Sequence, residues 1–199
     1  RQMCIRDRYT QEVIFLNYFS YKNARDASWA FLIEFGIFEL PVNIKPILNS
    51  MNITVRKDYS DLAGNERGYS VFENNAYQIV VPDCSIPQKR YTIMHEVGHI
   101  VMKHIQDKPE YEYEAERFAI DVLAPACVLW GLKIRDPEEI ASLCNISVTS
   151  ARIRAERMEL LYKREQDFLK IRGHSCFLQS PLERKVYQQY QRFIEKNKQ

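Results

Sequence analysis

The segment that most constrains this 199-residue chain is His-Glu-Val-Gly-His at positions 95–99. It lies within residues 89–104, whose largely apolar spacing predicts one buried helix. Residues four apart share a helix face, so the imidazoles of His95 and His99 can bind one metal ion. Glu96 can then take a proton from metal-activated water and pass it to a leaving amine. The pattern predicts zinc-peptidase chemistry with Glu96 as the general base, since two buried histidines and a glutamate without a metal would be costly.

A third protein ligand is expected, because catalytic zinc sites keep three protein ligands and one open position. The candidates are the glutamates of the next predicted helix. The helical wheel puts Glu112 about 50° from the centre of the apolar face, nearest of the four, so Glu112 is the predicted ligand. Glu116, one turn further on, is a tentative partner for a ligand histidine. Glu110 and Glu114 are expected at the surface, and His104 is expected to face about 140° away from the histidine pair.

The remaining pattern predicts an α+β fold that is mainly helical, with a small three-stranded sheet and a helical C-terminal region. Alternating apolar residues indicate a strand over 53–57 and a hairpin of strands 69–72 and 76–81. Residues 82–87 are interpreted as a linker. Further helices are expected shortly after Pro41 and over residues 22–36, 110–123, 138–144, 148–170 and 182–196.

Two segments together resemble the ImmA/IrrE family of metallo-endopeptidases: RYTIMHEVGHIVMKH at 90–104 and EYEAERFAIDVLAP at 112–125. They carry a helical HE-hydrophobic-GH followed by E-x-x-A-x-x-F-A, and the resemblance covers about residues 22–165. It implies a gluzincin-like fold and one Zn²⁺ ion bound by His95, His99 and Glu112, with Glu96 as base. It also implies that strand 76–81 forms the upper edge of the cleft.

The resemblance further implies a protein substrate, most commonly a helix-turn-helix transcriptional repressor. In one respect the chain departs from the family, which usually has Asn or Asp where Glu116 stands. The alternative function is a non-hydrolytic metal-binding regulator that acts by binding a protein partner or DNA. The presence of Glu96 favours hydrolysis, because a regulator that only binds does not need a general base.

Charge divides the chain into a predicted peptidase core, residues 20–131, and a basic helical region, residues 132–199. The basic region holds 14 Lys and Arg against 9 Asp and Glu, a net charge of +5, whereas the whole chain carries only +2. Residues 138–160 resemble a helix-turn-helix and carry Arg152, Arg154 and Arg157. Three interpretations stay open: a surface that docks a repressor substrate, a packing element with a solvated basic face, and, least favoured, a DNA-binding module.

Composition gives the expected compartment. Five cysteines, an odd number with no C-x-x-C pair, predict reduced thiols in a cytoplasmic protein. No apolar run approaches the length of about 18 residues that a membrane span needs, so no membrane partner is expected.

Overall fold

A computed structural model of the chain describes residues 5–58, 68–106, 108–175 and 177–198. The α+β class predicted from the sequence, mainly helical with a small three-stranded sheet, is confirmed. In chain order the elements are α1 (Ile5–Glu34), α2 (Ile44–Ser50), β1 (Ile53–Lys57), β2 (Tyr69–Glu73), β3 (Ala76–Val81), α3 (Ile86–Met102), α4 (Pro109–Leu123), α5 (Ala126–Leu132), α6 (Pro137–Cys144), α7 (Val148–Arg172), α8 (Pro181–Gln189) and α9 (Gln191–Asn197).

The strand order in the sheet is β1-β3-β2, with β3 parallel to β1 and antiparallel to β2. Asn74 and Asn75 form the hairpin turn with φ of 50° and 61°, as a type I′ turn requires. The prediction that strand 76–81 forms the edge of the cleft is wrong, because β3 is the central strand. Its residues Ile79 and Val80 point to opposite faces and are both buried, which suits a strand covered on both sides. The outer strand of the hairpin is β2.

Helix α3 begins three residues earlier than predicted, within the segment interpreted as a linker. The amide of Ser85 donates to Oε1 of Gln88 at 3.2 Å, which caps the first turn. Pro87 occupies that first turn, where its missing N–H would have had no partner in the helix. The capping pair, rather than the apolar periodicity, therefore sets the start of the helix.

Three other helix predictions need correction. Helix α1 begins at Ile5 rather than at residue 22, helix α5 was not predicted, and the last helix is divided into α8 and α9 at Tyr190. The structure confirms the predicted strands over 53–57 and 76–81. It also confirms the helix predicted over 148–170, which continues for two more residues to Arg172.

One apolar core runs through both predicted regions. Leu32 of α1, Ile79 of β3 and Phe118 of α4 are fully buried in it, and Val186 and Tyr190 near the C-terminus belong to the same core. The border between residues 131 and 132 is therefore not a border of the hydrophobic core. A separate functional role for residues 132–199 stays a prediction.

Candidate metal centre

Helices α3 and α4 approach each other closely at Gly98, in the middle of the His-Glu-Val-Gly-His segment. A Cβ atom on Gly98 would lie 3.1 Å from Cδ1 of Phe118 and 3.3 Å from Cα of Ala115. Glycine is therefore the residue that fits this contact without displacing α4. The close approach lets a side chain from the first turns of α4 reach the two histidines of α3.

That side chain is Glu112, and it meets His95 and His99. The two histidine Nε2 atoms lie 3.1 Å apart. Glu112 Oε2 is 3.3 Å from Nε2 of His95, and Glu112 Oε1 is 3.2 Å from Nε2 of His99. Ligand atoms of these three residues all lie within 4.8 Å of one another, so the group could hold a metal ion.

The three side chains differ in their exposure. The histidines are mostly covered, with 14% and 18% of the side chain exposed for His95 and His99, whereas Glu112 is 53% exposed. The group is thus closed on the side of α3 and open to solvent beside Glu112. An ion held here would have room for a water or substrate oxygen on the open side.

Glu96 lies beside this group and is buried. Burial raises the pKa of the Glu96 carboxyl, while a hydrogen bond from the Ser70 side chain and the nearby His99 oppose the shift. Ser70 belongs to β2, so the hydroxyl joins the sheet to the helix that carries both histidines. The sequence predicted the strand but gave no signal for this contact, since the strand order was not predicted.

A second layer lies behind His99 and contains two residues that the sequence assigned to other places. Nδ1 of His104 is 3.1 Å from Nδ1 of His99, and Nε2 of His104 is 3.0 Å from Oε2 of Glu114. The expectation that His104 faces away is wrong because α3 ends at Met102, so the helical angle does not apply beyond it. Glu114 is buried rather than exposed, because His104 covers and pairs with its carboxylate.

The sequence model of the IrrE N-terminal-like domain, the M78 family of peptidases, matches residues 48–156. This is more than half of the chain. The chain belongs to this family. Membership confirms the resemblance to ImmA/IrrE proteins and indicates a metallopeptidase that acts on protein. No curated protein matches the chain in a separate comparison.

The part that matches the M78 family contains the sheet, both metal-site helices and the first third of α7. It therefore extends beyond residue 131, the predicted border between the peptidase core and the basic C-terminal region.

Among the helices in the described ranges, none has both the length and the apolar character required to cross a bilayer.

Glu116 lies one turn after Glu112 on α4, at a small cavity of about 180 Å³ between α3, α4 and α7. Tyr91, one turn before His95 on α3, donates its hydroxyl to the backbone carbonyl of Glu116 at 3.4 Å. The cavity is thus displaced by one turn along both helices from the candidate metal-ligand group, which is His95, His99 and Glu112. Support of a ligand histidine by Glu116 stays a prediction.

The three arginines of α7 do not share one exposed face. Arg154 is buried and its guanidinium pairs with Asp121 of α4, so it is not available for docking. Arg157 is partly buried and donates to the Tyr21 hydroxyl at 2.7 Å. Arg152 is exposed. The prediction of a docking surface is therefore wrong for Arg154, because α7 turns that side chain into the core, and it stays a prediction for Arg152 and Arg157.

Proposed function

We propose that this M78 family member is a zinc-dependent endopeptidase that cleaves a regulatory protein. In this proposal His95, His99 and Glu112 bind one zinc ion, and Glu96 is the general base. The observation that carries the proposal is the convergence of two imidazole nitrogens and a carboxylate beside a buried glutamate.

The spacing of the three ligand groups supports zinc. Two ligand atoms about 2.0–2.1 Å from one ion, at a tetrahedral angle, lie about 3.3–3.4 Å apart. The two Nε2 atoms lie 3.1 Å apart, and each lies 3.3 or 3.2 Å from a different oxygen of the Glu112 carboxylate. Nitrogen and carboxylate donors with one open position also match the chemistry of catalytic zinc rather than of calcium or magnesium.

A bound zinc ion would supply a Lewis acid for the scissile carbonyl and for the attacking water. Glu96 does the proton transfer: its carboxylate accepts a proton from water and gives it to the nitrogen of the leaving amine. Burial favours this role, since it raises the pKa of the Glu96 carboxyl and so makes the carboxylate a stronger base toward water. The hydroxyl of Ser70 orients the carboxylate from the sheet side.

Strand β2 is the proposed binding edge for the substrate backbone. In an antiparallel hairpin with a two-residue turn, the residues that flank the turn, here Glu73 and Ala76, form a hydrogen-bonded pair. Hydrogen-bonded and non-hydrogen-bonded pairs alternate along the hairpin, so Ser70 and Phe72 both belong to non-hydrogen-bonded pairs. Backbone groups of Ser70 and Phe72 therefore point away from β3. No strand in the described ranges pairs with this side of β2, so an extended peptide can add there next to Glu96.

A helix-turn-helix transcriptional repressor is the proposed substrate, as the resemblance to ImmA/IrrE proteins implies. The net charge of +5 in residues 132–199, with Arg152 exposed on α7, supports a docking role for this region. The cytoplasm stays the predicted compartment, on the grounds of cysteine usage. Direct DNA binding remains the least favoured interpretation.

The test incubates the purified protein with helix-turn-helix repressors from the genome that encodes it and follows fragments by mass spectrometry. We expect cleavage by the wild type, loss of at least about 100-fold in rate for Glu96→Gln, and block by a chelator that zinc reverses. Glu110→Gln is the control for Glu96→Gln, because it makes the same change at an exposed glutamate that has no proposed catalytic or ligand role. It should cleave like the wild type.

Equal cleavage by the wild type and Glu96→Gln would refute Glu96 as base. Zinc binding that needs His95 and His99, together with tight repressor binding and no cleavage, would instead support the non-hydrolytic regulator. Cleavage of an unrelated unfolded protein at the same rate as the repressor would remove the proposed substrate class and leave the peptidase.

A further inference from the structure

The chain turns sharply where α3 ends, and the turn returns His104 to the side chain of His99. Lys103 adopts a left-handed conformation with φ of 57°. The backbone N–H of His104 then donates to the carbonyl of His99 at 3.0 Å. His104 is therefore fixed to His99 through the backbone as well as through the side chain.

Glu114 and His104 form a line of contacts that ends at His99. Oε2 of Glu114 lies 3.0 Å from Nε2 of His104, and Nδ1 of His104 lies 3.1 Å from Nδ1 of His99. Nε2 of His99 is the atom that meets Glu112. The chain of contacts thus leads from a carboxylate on α4, through two imidazole rings, to a ligand nitrogen.

The positions of the protons in this chain follow from donor chemistry. A carboxylate only accepts hydrogen bonds, so Nε2 of His104 carries the proton toward Glu114. In a neutral imidazole the other nitrogen is then an acceptor, so Nδ1 of His104 accepts from Nδ1–H of His99. A neutral His99 that donates from Nδ1 to His104 has its lone pair on Nε2, which is the form that binds a metal ion, whereas the opposite tautomer would donate from Nε2 to Glu112. The contact with His104 therefore favours the metal-binding tautomer.

The surroundings hold His104 in this orientation. Only 3% of the His104 side chain and 11% of the Glu114 side chain are exposed. The ring of Tyr111 stacks on the ring of His104 with 4.3 Å between centroids and 4° between planes. A ring confined in this way cannot rotate freely to exchange its two nitrogens.

We infer that His104 and Glu114 are positioning residues for the metal centre, which set the tautomer and ring orientation of His99. The inference rests on the proposed function, because it takes His99 as a metal ligand. It adds that metal affinity depends on two residues that do not contact the ion. Outer hydrogen-bond partners of this kind commonly contribute about 10- to 100-fold to metal affinity.

The test replaces His104 by two amides that differ in the position of their acceptor. The oxygen of Asn occupies the place of Nδ1, so His104→Asn retains an acceptor for His99. The amide of Gln reaches the place of Nε2, so His104→Gln does not. Zinc affinity of each folded variant is measured by competition with a chromophoric chelator, and the His99 tautomer by ¹⁵N NMR without metal. Circular dichroism establishes that the variants are folded.

We expect His104→Gln to weaken zinc binding about 10- to 100-fold and His104→Asn to remain within about threefold of the wild type. Without metal, Glu112 competes for a proton on Nε2 of His99, so the comparison between variants is the readout. The fraction of His99 with its proton on Nδ1 should be similar in the wild type and His104→Asn and lower in His104→Gln. Glu114→Leu should lower affinity, whereas Glu114→Gln, which keeps an acceptor for Nε2–H of His104, should lower it less.

Equal affinity of the wild type and His104→Gln would overturn the inference, and so would equal losses in the Asn and Gln variants. His95→Ala separates this failure from failure of the metal site. If His95→Ala binds zinc as tightly as the wild type, the proposed metal site itself is wrong. If His95→Ala loses zinc while His104→Gln does not, only the positioning role is wrong.

Discussion

Arg154 of α7 and Asp121 of α4 form an ion pair in the interior, with 1% and 4% of their side chains exposed. Asp121 also accepts from Nε of Arg117 at 2.7 Å. Asp121 is on the same helix as Glu112, so the pair joins the basic C-terminal region to the helix that carries Glu112. We conclude that Arg154 has a structural role in this joint and not a docking role.

Replacement of Asp121 by Asn should destabilise the protein by about 3–5 kcal/mol, because it leaves the guanidinium of Arg154 buried without its counter-charge. Urea unfolding followed by circular dichroism measures the change. The double variant Asp121→Leu with Arg154→Met removes both charges and is the matched control. It should be less destabilised than the sum of the single variants Asp121→Leu and Arg154→Met. Additive losses would contradict coupling between the two side chains.

The same ion pair predicts a specific dependence of stability on acid. Burial alone would raise the pKa of Asp121, but Arg154 and Arg117 outweigh it and hold the pKa below the usual 3.8. The native state therefore binds fewer protons than the unfolded state near that pH, and stability decreases as pH falls through the native pKa. Unfolding in urea at pH 7, 5 and 3 should give a stability difference between the wild type and Asp121→Asn that shrinks at pH 3. A constant difference would contradict the assignment.

The convergence of His95, His99 and Glu112 could be predicted from the sequence because the spacing of the residues is local. His95 and His99 share a helix face by periodicity, and the apolar face of α4 selected Glu112. The second layer could not be predicted, because it depends on where α3 ends. No glycine follows Met102, and Lys103 takes the left-handed conformation that usually marks a helix end with Gly or Asn. Because the sequence does not show this turn, a continuous helix places His104 on the side of α3 away from His99 and leaves Glu114 without a partner to cover it.

The sheet and α7 illustrate a second kind of limit. Alternation identified each strand, but the parallel pairing of β1 with β3 depends on residues far apart in the chain. The proposed binding edge is therefore β2 and not β3, which the sequence had placed at the edge. The sequence shows the positive charges of α7 directly, but not which of them are buried. That Arg154 points inward depends on Asp121, 33 residues earlier in the chain.

Cysteine reactivity provides a test of the packing of the core. Burial raises the pKa of Cys144 to about 12, and burial also raises the pKa of Cys127 well above its usual range, so both remain protonated thiols. Only the thiolate reacts with iodoacetamide, so Cys144 and Cys127 should resist alkylation at pH 8 in the native protein. Of the three cysteines in the described ranges, Cys84 is partly exposed and should be labelled first. Peptide mass spectrometry reads each site, with labelling in urea as the control. Labelling of Cys144 as fast as Cys84 would indicate a looser core.

Gly98→Ala should weaken zinc binding, because the added methyl group meets the backbone of Ala115 and the ring of Phe118 and displaces α4 with Glu112. Overpacking of about 1–3 kcal/mol is opposed by about 1 kcal/mol of improved helix propensity, so the melting temperature should decrease only modestly. Gly131→Ala is the control, because its Cβ would lie 2.8 Å from Cε2 of Tyr187 on α8, a helix that supplies no ligand. Competition with a chelator should give lower zinc affinity for Gly98→Ala alone, while both variants melt at lower temperature than the wild type. Unchanged affinity in Gly98→Ala would mean that the distance between α3 and α4 does not control the ligand group.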